Sequence, residues 1–234
     1  GSAQAGEMSV SGSINTTLKF GGGGGNTSRT IGTDRDVTFS GGGELDNGTT
    51  FSMTATTNDA YGISSSTTTI TTPSLGSFSL GSSSGSASYM YDEEVPTAYE
   101  QVSDGKDTAS NKVGDFMDNN HITYTAPTFD LGGAQVTAHL GYASDANDTE
   151  TGDGGTPGEG TYGSGTEAGI TIAYDAFKFG IYGAERENKN PDANADVGDE
   201  FNGSWFVNYS FGPGGSTETI KCKDCGIKKL RKKR

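Results

Sequence analysis

The chain has 234 residues, 30% of them hydrophobic, with 38 glycines and a net charge of −14. That apolar share is thin for a water-soluble globule with one packed core, and no apolar run reaches the length of a membrane-spanning helix, so any membrane crossing must be made by strands. The last fourteen residues hold eight Lys and Arg against Asp224 and carry +7, which leaves −21 on residues 1–220 and argues against nucleic acid as a partner.

Taken in chain order, residues 1–5 contain Ala3-Gln4-Ala5, the A-x-A form that precedes a secretory cleavage site. They read as the remnant of a signal peptide or as a cloning scar. Alternation of apolar and polar residues then predicts strands over 8–20, 35–44, 49–57, 66–72 and 77–84. After a long gap it predicts strands over 121–128, 134–143, 166–174, 177–186 and 201–211. In the first strand Met8, Val10, Ile14, Leu18 and Phe20 share one face, and Ser9, Ser11, Ser13, Asn15, Thr17 and Lys19 share the other. In the last, Phe201, Trp205, Val207, Tyr209 and Phe211 oppose Asn202, Ser204, Asn208 and Ser210. A period of two sustained over about ten residues suits a strand that shows one face to lipid.

The connections alternate between tight and long. Leu45–Gly48, Pro73–Gly76, Phe129–Gly133 and Asp175–Ala176 are tight, and the first two carry turn-forming Asn-Gly and Pro…Gly chemistry. Gly21–Asp34, Asn58–Ser65, Gly85–Asn120, Ser144–Gly165 and Glu187–Glu200 are long. In an up-and-down meander every second connection lies at the same end, so one end of the sheet is trimmed and the other carries the bulk. That asymmetry belongs to an antiparallel transmembrane β-barrel of about ten strands. Phe20, Phe51, Phe129, Tyr142, Tyr174, Phe177 and Phe211 fall toward strand ends, where an interfacial aromatic girdle would sit. A secreted or cell-surface structural or adhesive β protein without a channel explains the composition equally well, but not the turn asymmetry.

Three stretches resemble the general porins of Gram-negative outer membranes, particularly the alphaproteobacterial type. They are the opening strand Met8-Ser-Val-Ser-Gly-Ser-Ile14, the hairpin Gly43-Glu-Leu-Asp-Asn-Gly-Thr-Thr-Phe51, and Leu75-Gly-Ser-Phe-Ser-Leu-Gly81. The resemblance covers residues 6–212 and implies an outer-membrane channel for passive diffusion of small hydrophilic solutes and ions. It also implies a homotrimer and a third external loop that folds inward as a constriction. The connection 85–120 is the longest and stands third in order, where the family would place that loop. Such porins usually have more strands and end on an aromatic strand. The expectation is therefore an incomplete barrel, truncated near Phe211, with 213–234 a basic, non-native-looking and disordered tail.

On this reading Asp92, Glu93, Glu94 and Glu100 form an acidic constriction, and Lys19, Lys178 and Arg186 form a basic pore wall. Acid outnumbers base, which predicts a preference for cations or neutral solutes. Each of these residues is equally an ordinary solvated charge. Asp145, Asn147, Asp148, Glu150 and Asp153 offer clustered oxygens for calcium or for divalent bridging to lipopolysaccharide, without the EF-hand pattern. Outer-membrane lipid and lipopolysaccharide are the expected surroundings. Cys222 and Cys225 form a lone C-x-x-C with no second ligand pair, so neither a zinc site nor any cofactor is expected. His121 and His139, both on expected strands, stand by no recognisable nucleophile, and no enzymatic activity is expected.

Overall fold

The computed structural model describes residues 6–20, 29–58, 61–82, 87–92, 120–144, 146, 162–188, 200–210 and 217–223. The first half of the sheet comprises β1 (Met8–Phe20), β2 (Arg29–Glu44), β3 (Thr50–Thr57), β4 (Ile63–Thr72) and β5 (Gly76–Ser82), followed by a short helix α1 (Ala87–Asp92). The second half comprises β6 (His121–Thr125), β7 (Phe129–Leu131), β8 (Ala134–Ala143), β9 (Tyr162–Tyr174), β10 (Phe177–Asn188), β11 (Glu200–Ser210) and β12 (Thr217–Lys223). All strands belong to one antiparallel sheet in which each pairs with its sequence neighbours, β6 and β7 both lying along β8. The connectivity is the up-and-down meander expected from the turns. Among the described residues β1 and β12 do not pair with each other, so the sheet stands open.

Several boundaries differ from the sequence expectation, each for a local reason. β2 begins at Arg29 rather than 35, because pairing from Ile14↔Arg35 out to Phe20↔Arg29 supplies partners for the whole of β1. β4 begins at Ile63, which narrows the expected long connection Asn58–Ser65 to 58–62. Asn58 closes that turn: its N–H donates to the Gly62 carbonyl at 2.8 Å and its Oδ1 accepts the Gly62 N–H at 3.0 Å. The expected strand 121–128 breaks at Ala126-Pro127-Thr128, since Pro127 has no N–H to give the ladder. It resumes as β7, so the tight turn shrinks from Phe129–Gly133 to Gly132-Gly133, with φ of 64° and 93°. β9 and β10 run longer than expected, to Tyr162 and Asn188. Residues 217–223, assigned from sequence to the tail, pair with β11 from Ser210↔Thr217 to Ser204↔Lys223. The count among the described residues is thus twelve strands rather than ten, two of them being the halves of one interrupted strand.

The period of two translates directly into two unlike faces. On one, Met8, Ile14, Ile31, Phe78, Leu80, Leu140, Phe179 and Ile181 are exposed, Met8 at 76% and Ile14 at 73%. Aromatic rings gather on this face near the tight turns: Phe78 and Tyr124 are 4.9 Å apart, and Phe177 and Tyr209 are 4.6 Å apart. On the opposite face the buried residues are largely polar, including His121, Thr123, His139, Glu167, Arg186, Asn202 and Ser204. A water-soluble sheet does the reverse, covering its apolar face and wetting its polar one. A contiguous apolar face of this extent is stable only where it meets lipid or another apolar surface.

Candidate functional site

Antiparallel register assembles the site from four adjacent strands. Pairing of His139↔Gly169 and Gly141↔Glu167 aligns β8 with β9, and Gly169↔Tyr182 and Glu167↔Ala184 align β9 with β10. Gly180↔Phe206 and Tyr182↔Ser204 continue the row onto β11. All of these positions share the polar face. Three of them are glycines, and each leaves a hollow that a neighbouring side chain fills. A Cβ on Gly141 would collide with the Glu167 carboxyl, one on Gly169 with the Tyr91 hydroxyl end, and one on Gly180 with the Phe206 ring.

Helix α1 lies in this hollowed region, touching β8, β9, β10 and β11. A helix of six residues has too few internal hydrogen bonds to hold itself, so its contacts must hold it. Tyr91 is 1% exposed and packs against His139, Tyr182 and Phe206, with ring centroids 5.9, 5.3 and 5.9 Å away. The buried Glu167 carboxylate meets the start of the helix: Oε1 accepts the Ala87 N–H at 2.7 Å, and Oε2 accepts the Tyr182 hydroxyl at 3.1 Å. Both carboxylate oxygens are therefore engaged, which is how a buried charge is made tolerable. Beside the helix is a cavity of about 290 Å³ lined by Met90, Tyr91, Thr137, His139, Thr171, Lys178 and Phe206.

The basic residues expected on the pore wall take distinct places. Lys178, half-buried on β10, sets its ammonium 5.5 Å from the Phe206 ring centroid, within cation–π range. Arg186 is buried, and its guanidinium donates to the Ala146 carbonyl at 3.3 Å. That contact pins the base of the β8–β9 connection to the wall, while the Ala146 N–H donates to the Gly163 carbonyl at 2.7 Å. Lys19 sits on β1 opposite Thr30, its side chain outside the described residues. Asp92 ends α1, with its side chain also outside them, as are Glu93, Glu94 and Glu100. The calcium candidates Asp145, Asn147, Asp148, Glu150 and Asp153 lie outside them too. Among the described residues no group of three or more His, Cys, Asp or Glu is placed to hold a metal.

Glu167, Tyr91, Tyr182 and Phe206 were not singled out from sequence. Glu167 did carry a signal. It is a lone carboxylate at polar-face parity inside an otherwise small or apolar stretch, with glycines at 165 and 169 on the same face. His139 faces the polar side, as parity predicts, and its Nδ1 lies 3.3 Å from Thr125 Oγ1.

An antiparallel up-and-down meander with one exposed apolar face is the architecture the sequence resemblance implies. Compared with curated proteins, the chain finds no significant match. The family model described as Gram-negative porin matches residues 1–221, and the chain belongs to that family.

Proposed function

We propose that the polar face of this sheet lines a water-filled passage through which small hydrophilic solutes and ions diffuse passively, narrowed by the 85–120 connection. The observation that carries this reading is the position of α1. It is the described helix of that connection, and it rests on the polar face of β8–β11, opposite the exposed apolar residues. The chain acts as a non-enzymatic channel protein, and family membership implies an outer-membrane location.

Charge supports a bias in what passes. The chain leaves α1 at Asp92, and Glu93, Glu94 and Glu100 follow, loading the narrowed stretch with carboxylates. Lys178 and Arg186 are fewer than these carboxylates, so acid outnumbers base. Cations and neutral solutes should therefore pass more readily than anions. Outer-membrane lipid and lipopolysaccharide would surround the apolar face, and a homotrimer is the expected assembly.

The test is single-channel recording of detergent-refolded protein in a planar bilayer under a salt gradient. Stepwise openings with a reversal potential biased toward cations are expected. Protein that remains soluble without detergent and never conducts would overturn the proposal.

A further inference from the structure

We infer that Glu167 is the positioning residue of the inward-folded connection: its carboxylate latches α1 onto a glycine-hollowed seat in β8–β10. The inference rests on the proposed passage only for its consequence in conduction; the latch itself is a statement about where α1 is held.

Three independent features converge on it. The first is chemical: one oxygen of Glu167 accepts the Ala87 N–H and the other accepts the Tyr182 hydroxyl, so a single side chain ties the connection to both β9 and β10. The second is steric. Gly169 leaves room for the Tyr91 ring end and Gly141 leaves room for the Glu167 carboxyl, so any side chain at either position would displace a part of the latch. The third is burial: Ala87 and Tyr91 are 0% and 1% exposed, and Glu167 is 4% exposed. A buried carboxylate on a wall strand would be unfavourable without partners, and here one oxygen holds the first residue of the helix while the other is fixed by the Tyr182 hydroxyl of β10. Gly141, Glu167 and Gly169 thus act through Ala87 and Tyr91 and need not touch a solute.

Hydrogen exchange of the full chain in detergent micelles, followed by mass spectrometry, tests this without requiring conduction. In Glu167→Ala the amides of 87–92 should exchange about tenfold faster or more, while those of β10 stay unchanged. Glu167→Gln should recover much of the protection, since its amide oxygen can accept the Ala87 N–H and its NH₂ can donate to the Tyr182 hydroxyl oxygen. Gly169→Ala should free the same segment with the carboxylate intact, by wedging Tyr91 out. If Glu167→Ala fails to fold, the glutamine and Gly169 variants carry the test.

Unchanged exchange of 87–92 in these variants would overturn the latch. So would equal acceleration across β9 and β10 with no rescue by glutamine, which would mark general loosening. Recording the same proteins in a planar bilayer separates the two readings. Selective release of 87–92 with unaltered conductance would sink the narrowing and leave the latch. Unaltered exchange in a conducting channel would sink the latch and leave the passage.

Discussion

The polar faces of β1–β5 and β8–β11 obey the same alternation and have opposite fates. Along β1–β5 the face is a lawn of short hydroxyls joined across strands: Thr38 to Thr56 at 3.0 Å, Thr69 to Ser79 at 2.9 Å, and Thr71 to Ser77 at 3.0 Å. Most of these side chains are half-buried or exposed. Along β8–β11 the face carries Glu167, Arg186, Tyr182 and Phe206, all buried, with α1 resting among them. The first region is built to be wetted and the second to be covered. What separates them is side-chain volume set against glycine hollows: Glu167, Tyr91 and Phe206 fill the spaces left by Gly141, Gly169 and Gly180, which makes a seat with shape. Small hydroxyls alone make no such seat.

The sharpest way to break this difference is Tyr91→Ala, which removes the ring that fills the seat. Tyr91 meets three other rings and is almost fully buried, so its truncation should destabilise the docked state by about 3–5 kcal/mol. Protection of 87–92 should collapse in hydrogen exchange, and single-channel conductance should rise as the covered half comes to resemble the uncovered one. Retained protection would show that α1 is held by something other than its ring contacts and would erase the contrast between the halves.

How legible this was from sequence divides along the same line. The strands and their faces were readable because alternation is local: Met8, Val10 and Ile14 share parity whatever else the chain does. The tight turns at 45–48 and 175–176 were readable because Asn47-Gly48 and Asp175-Ala176 punctuate that alternation, and Gly48 and Asp175 do take positive φ, at 78° and 52°. The ends of β2 and β4 were not, because Arg29–Asp34 and Ile63–Ser65 are strand by pairing with a neighbour rather than by pattern. β12 was missed for the same reason, its pairing with β11 being non-local information. For the site, parity placed Lys178, Arg186 and His139 on the polar face. It could not say that Arg186 would reach Ala146, forty residues away, or that Glu167 would meet Ala87, eighty away. Those contacts depend on where a connection folds, and a period of two carries nothing about that.

The two faces of a single strand offer a second contrast. Ile181 lies mid-strand on β10, exposed on the apolar face between Ile170 and Trp205. Ile181→Lys should destabilise the lipid-embedded protein by about 2–4 kcal/mol, since a charge there faces the bilayer interior. Thr54→Lys on the wetted polar face of β3 should change stability by less than about 0.5 kcal/mol, because an exposed lysine there keeps its water. Reversible urea unfolding from lipid vesicles measures both. Equal effects would mean that the exposed apolar face does not meet lipid, and the assignment of inside and outside would fall.

The smallest expected effect tests whether the hydroxyl lawn of β1–β5 holds the sheet or merely wets it. Thr69 Oγ1 and Ser79 Oγ are 2.9 Å apart on neighbouring strands, both half-buried at positions paired in register. Thr69→Ala removes that cross-strand bond and some β-branched packing, each a minor term for a paired position in a sheet. Ser79 is left next to water rather than in a dry core, so its hydroxyl can be rehydrated and the full penalty of an unmade buried bond does not apply. The loss should be about 0.2–1 kcal/mol in the same urea titration. A loss well above that range would show that the first half of the polar face is drier than its exposed serines and threonines indicate. The two halves would then differ in what covers them and not in whether they are covered.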